Sequence, residues 1–198
     1  MPVKIDNLMS SFEYVTVFIS IILGLGIAQI LTGVADLIHN SSRVKIYHTH
    51  LIWIFLVLLL HIQEWWVTFE LRDYADWRLP TFIFIMVYPI VLFILARLLF
   101  PTNTSEGAIN LKEFYFENYR KIFLFGVFLA LVSILDNFII RDYKYEDLIP
   151  PIIVFSTLLT LAYFKISNPV IHTFVAIYMI LMLIVFLVYE WHRLLLEI

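Results

Sequence analysis

The chain has 198 residues, 62% of them hydrophobic and only 15% charged, with a mean hydropathy of +0.92; soluble domains carry about 25% charged residues, so the surplus apolar surface here must face lipid. Cysteine is absent, which excludes disulfides, thiolate metal sites, thiol nucleophiles and palmitoylation. A formal net charge of -3 with no basic block argues against nucleic acid as a partner.

Taken in chain order, the apolar runs predict an all-α, polytopic membrane helix bundle forming a single transmembrane domain over residues 1–198. The opening segment MPVKIDNLMSSFEYV lacks the basic region and short apolar core of a cleaved signal, and the first span reads as a retained anchor. Six spans are expected, over residues 13–38, 50–71, 80–100, 121–140, 148–164 and 169–191. The fifth is short and starts with Pro150 and Pro151; if it is re-entrant, five spans remain. Residues 110–119 predict a short interfacial helix before span four, because Asn110 and Glu113 resemble a capping box and aromatic residues follow on one side. The alternative is that these residues are the first turns of span four itself.

In the first span Gly24, Gly26 and Gly33 are small positions suited to close helix packing, and Gln29 and Asp36 fall on the Gly26–Gly33 stripe. In the second, HIQEWW places His61, Gln63 and Glu64 inside a leucine-rich run. With that span centred near residue 60, Glu64 falls roughly 6 Å from the midplane at about 1.5 Å per residue. There a carboxylate must be paired, hydrated or protonated. His61 and Glu64 are three apart and predict one joint site, with Trp65 and Trp66 lining a cavity. Arg97, near the end of span three, is a snorkelling anchor or a counter-charge for Asp36, Asp136 or Glu64. Span four repeats the small-residue pattern with Gly126, Ala130 and Ser133, beside Asp136. Span six places His172 and Glu190 near opposite interfaces, where water would satisfy both, and ends in an aromatic and basic belt, Trp191, His192 and Arg193.

Orientation is almost balanced. Arg43, Lys45, Arg97, Lys112, Arg120, Lys121 and Lys165 lie on one side, against Lys4, Arg72, Arg78, Arg141, Lys144 and Arg193 on the other. The margin leans toward both termini outside the cytoplasm. Short echoes, such as Glu64-Trp65 and Glu190-Trp191, do not share a register that would establish an internal repeat. No hydrolase, P-loop or dinucleotide motif occurs, so an enzyme is not expected. Histidines on facing helices can ligate a haem, and His39, His48 and His50 cluster with Asp36 at one rim where a metal could bind; only His61 is deep and rim histidines are commonly just interfacial, so the expectation is no cofactor and no metal.

The pattern LGLGIAQILTG, a tryptophan pair in span two, LARLLFP and FYFENYRKIF is similar to a broad set of uncharacterised small bacterial multi-pass membrane proteins, over roughly residues 15 to 125. That resemblance implies a bacterial inner-membrane location and carries no activity with it. The functional expectation is a proton- or cation-linked channel or transporter-like bundle. Glu64 is its titrating group, His61 and Gln63 lie beside it, and Gln29, Asp36, Arg97, Asp136 and Glu190 form a second tier. Homo-oligomers through the small-residue seams are expected. The alternative is a non-transporting accessory subunit, or a stress or phage-defence effector, acting through a soluble or membrane partner or on the bilayer.

Overall fold

The computed structural model describes residues 10–102, 108–141 and 145–196, of which 189–196 are described as helical backbone alone. The side chains of Glu190, Trp191, His192 and Arg193 therefore lie outside the described residues. Six helices are long and apolar enough to cross a membrane: α1 (Ser11–His39), α2 (His48–Thr68), α3 (Leu79–Leu98), α4 (Leu111–Ile139), α5 (Tyr145–Tyr163) and α6 (Pro169–Leu196). The chain is a polytopic all-α bundle. A helix satisfies its own backbone, which is why lipid permits this architecture.

Local chemistry sets where each helix starts. A capping box opens α1: Ser10 Oγ accepts the Glu13 N–H at 3.2 Å, and the Glu13 carboxylate accepts the Ser10 N–H at 2.8 Å. Pro80 sits in the first turn of α3, where a missing N–H costs nothing. The Asn110 side chain caps α4 through the Lys112 N–H at 3.2 Å and donates to Glu113 at 2.6 Å.

The separate interfacial helix expected at 110–119 is not there. Residues 111–139 form one unbroken helix of 29 residues. Nothing between Tyr119 and Lys121 breaks the helix, and Tyr115 and Tyr119 are already buried core residues. At about 1.5 Å per residue, α4 is about 43 Å long against a hydrocarbon core of about 30 Å, so the residues at 110–119 are an extension of the span itself. The fifth helix is continuous over 19 residues, with both prolines in its first two turns, and it lies along α4. It is long enough to cross, which removes the five-span alternative.

Centrally placed, α2 packs against α1, α3, α4 and α6. Three further pairings surround it, α1 with α3, α3 with α4 and α4 with α5. The inward face of α2 carries His50, Trp53, Val57, His61 and Thr68. Trp65 and Trp66 are 54% and 43% exposed; they face outward and do not line a cavity. Beyond Thr68 the chain tightens into a 3-10 segment, Phe69–Asp73. On the face where α1 ends, a parallel pairing of β1 (Val44–Lys45) with β2 (Ile109–Asn110) ties the first loop to the third. Residues as short as these give no periodic signal from which a strand can be read.

The small residues fit their expected role unevenly. A Cβ on Gly26 would run into the His61 ring, one on Gly33 into the Phe100 ring, and one on Gly126 would meet Leu158 Cδ1 at 2.7 Å. Those three seams are spent inside this chain, whereas Gly24 has nothing within 4 Å. Ala130 is buried, and Ser133 accepts through its carbonyl from Asn137 Nδ2 at 2.9 Å. Gly33→Ala is expected to destabilise the bundle by about 1–3 kcal/mol, the usual cost of overpacking a rigid contact, while Gly24→Ala stays within about 0.5 kcal/mol. Thermal unfolding in detergent checks both.

Candidate functional site

Glu64 stands one turn before the end of α2, at Thr68. The apolar span runs on through the next segment to Asp73, so at about 1.5 Å per residue Glu64 lies about 5 Å from its centre, as deep as the sequence suggests. Thr68 Oγ1 donates back to the Glu64 carbonyl at 2.8 Å. The carboxylate is partly buried and accepts no hydrogen bond from any described residue. The charges that act on it are Asp136 and Arg141, and Tyr88 of α3 shares the same electrostatic neighbourhood.

Around it, α4 and the 3-10 segment contribute a charged network. Arg141 Nε donates to Asp136 Oδ2 at 2.7 Å, and Arg141 Nη1 donates to Glu70 Oε2. Asp136 closes the last turn of α4, whose carbonyl also receives the Ile140 and Arg141 N–H groups, so the guanidinium sits at a helix C-terminus where a cation is favoured. Burial opposes the charge on Arg141, but the carboxylates of Asp136 and Glu70 outweigh it and raise its pKa above the ordinary value. Three carboxylates thus share one guanidinium at the face where α2 and α4 end. Asp136 was expected as a second-tier residue. Arg141 and Glu70 were not, although their positions five after Asp136 and six after Glu64 offer a weak signal.

His61 does not join this site. Its Nδ1–H donates to the Val57 carbonyl at 2.7 Å, which leaves Nε2 as a bare acceptor, buried and without a partner, pressed against Gly26 of α1. The expected His61–Glu64 unit is split: neighbours along the helix, they point one to α1 and one toward the charges of α4. Gln63 is partly buried between them and makes no side-chain hydrogen bond with a described residue.

Gln29, Asp36 and Arg97 converge elsewhere, in the wall of a small cavity at the opposite face, with Gly33, Leu37, Phe100 and Pro101. Arg97 is no counter-charge for Asp136 or Glu64, because α3 ends at the other side of the membrane from α2 and α4. Also at that face is a buried ring cluster the sequence hid. His172 Nε2–H donates to the Ile166 carbonyl at 2.7 Å, so its Nδ1 accepts the Tyr115 O–H, also at 2.7 Å. His172 is fully buried, which overturns its expected place in interfacial water. His50 is also fully buried and donates through Nε2 to the Leu99 carbonyl at 2.8 Å. It leaves the rim set, and His39 and His48 stay exposed. Thr49 donates to Thr173 Oγ1 at 2.7 Å, the Thr173 hydroxyl proton being engaged with the Pro169 carbonyl. Among the described residues no group of three or more His, Asp or Glu is placed to hold a metal.

Comparison with models of known families, with curated proteins and with solved structures finds no match. The site therefore stands on its own chemistry. Arg141→Gln is expected to lower stability by about 1–3 kcal/mol near neutral pH, because partly buried carboxylates lose their donor. Paired thermal melts near neutral pH check magnitude and sign.

A second substitution isolates His61. Gly26→Ala forces a methyl group into a ring already held by Val57 and is expected to cost about 1–3 kcal/mol. In a double-mutant cycle the cost should largely vanish in the His61→Ala background.

Proposed function

We propose that this chain is a bacterial inner-membrane, non-enzymatic protein that works as a proton- or cation-linked channel or transporter-like bundle, with Glu64 as the ion-exchanging group. One observation carries the reading: three carboxylates, Glu64, Glu70 and Asp136, are arranged around the Arg141 guanidinium, and the deepest of them has no hydrogen-bond donor among the described residues. Arg141 neutralises Asp136 and Glu70 by direct contact. Glu64 is left to meet its charge by taking a proton, a cation or water, which is the behaviour that makes intramembrane carboxylates functional. Gln63 next to it supplies an amide that can donate to, or accept from, whatever arrives. His61 has no part in the exchange, because its free nitrogen is sealed under Gly26. The open stripe around Gly24 is where a second copy would pack.

A second reading is favoured by that same seal. Mid-membrane space between α1 and α2 is filled by a ring against a glycine, which suits an accessory subunit, or a stress or phage-defence effector, that conducts nothing and acts through a protein partner or the bilayer.

Proteoliposome flux separates the two. Wild type is expected to pass protons or monovalent cations with a rate that varies across about pH 5 to 8, and Glu64→Gln to lose at least about tenfold of it, about 1.4 kcal/mol in the barrier, while melting at a similar temperature. His61→Ala should keep the flux. Folded wild-type protein that passes nothing would shift the assignment to the accessory reading.

A further inference from the structure

Opposite charges face one cavity without meeting. Asp36 on α1 and Arg97 on α3 both line a recess of about 30 Å³, and among the described residues neither side chain forms an ion pair. Asp36 stands three residues before the end of α1 and Arg97 one before the end of α3, so the recess opens at the bilayer face on which both helices stop. Gln29, two turns deeper on the same stripe as Asp36, adds an amide. The Phe100 ring, seated against Gly33, limits the space available. Outside it, on the Arg97 side of α3, Ile90 and Ile94 are exposed apolar side chains, a surface for acyl chains.

We propose that this recess binds the headgroup of a phospholipid bearing a primary ammonium, with the ammonium at Asp36 and the phosphate at Arg97. A zwitterion satisfies both charges at once and adds no net charge, whereas a simple anion or cation leaves one of them unmatched. Guanidinium is the side chain suited to phosphate, through two parallel N–H donors. Hydrogen bonding decides between headgroups: a recess of about 30 Å³ matches one or two water-sized groups, room for an –NH₃⁺ group that donates to the Asp36 carboxylate while the phosphate stays at the mouth against the exposed Arg97, whereas a trimethylammonium is larger and has no N–H to donate. The occupant at this depth is a lipid, which arrives laterally and brings its chains to the exposed isoleucines of α3. Free phosphoethanolamine has the same polar chemistry without that apolar contact.

Native mass spectrometry of the intact purified chain tests the assignment. Dioleoyl phosphatidylethanolamine and dioleoyl phosphatidylcholine are offered in equal amounts, with soluble O-phosphoethanolamine as a competitor in a separate series. The ethanolamine lipid should be retained about tenfold over the choline lipid, about 1.4 kcal/mol. Asp36→Asn should erase that preference while leaving weak binding of both lipids, and Arg97→Gln should weaken both, since both carry the phosphate. Equal retention of the two lipids by wild type, or a preference that survives Asp36→Asn, would overturn the proposal. Displacement of the lipid by soluble phosphoethanolamine at equal concentration would overturn its lipid part. The wild-type comparison stands even if a variant fails to fold. It is also independent of Glu64, which lies at the other face.

Discussion

In lipid the backbone of each helix is already satisfied, so what two helices must still match is the polarity and shape of their side chains; in this bundle α2 carries most of both. Its inward face presents His50 and His61, each with one nitrogen engaged by a backbone carbonyl and the other bare. Around that face the neighbours are fixed. The His61 ring requires glycine at position 26, which draws α1 close. His50 reaches the Leu99 carbonyl at the end of α3. Thr49 is hydrogen-bonded to Thr173 of α6. Removing a partner from any of these strands a polar group away from water, a cost of about 1–3 kcal/mol.

Packing and chemistry consequently divide along the membrane normal. The face where α1 ends is a rigid aromatic block, in which Tyr47, Tyr115, Tyr119, Phe123 and His172 meet ring to ring at centroid distances between 4.8 and 6.3 Å. Arg120 of α4 adds a hydrogen bond to the Ala162 carbonyl at 3.1 Å and closes the end of α5. The opposite face is ionic, held by Arg141 between Asp136 and Glu70. A charged cluster exchanges its counter-ions with water far more readily than an aromatic block rearranges, and this is why the ionic face is the better place for ion chemistry.

Individual residues show how far sequence reasoning reached. The six spans and the seams at Gly26, Gly33 and Gly126 were legible because hydropathy and small-residue spacing are local properties. The unity of α4 was harder: Asn110 and Glu113 do cap a helix, but a cap tells where a helix begins and nothing about where it stops. Glu64 was singled out by its depth alone. Its true neighbours were hidden because Arg141 and Glu70 lie in short connections, and their meeting depends on how α2 and α4 end beside each other. His172 was misplaced for a similar reason. Its distance from the span end suggested water, and only the approach of Tyr115, 57 positions away in the chain, removes it from water.

What the sequence determined by itself is therefore the class of the protein and the number of its spans, since both follow from apolar runs of neighbouring residues. What only the tertiary structure decided is the partner of every intramembrane polar group. A helix presents side chains at every azimuth, and sequence spacing says which of them share a stripe but not which neighbour that stripe meets. Thus His61 and Glu64, three residues apart, part company, while Asp36 and Arg97, 61 positions apart in the sequence, come to face the same recess.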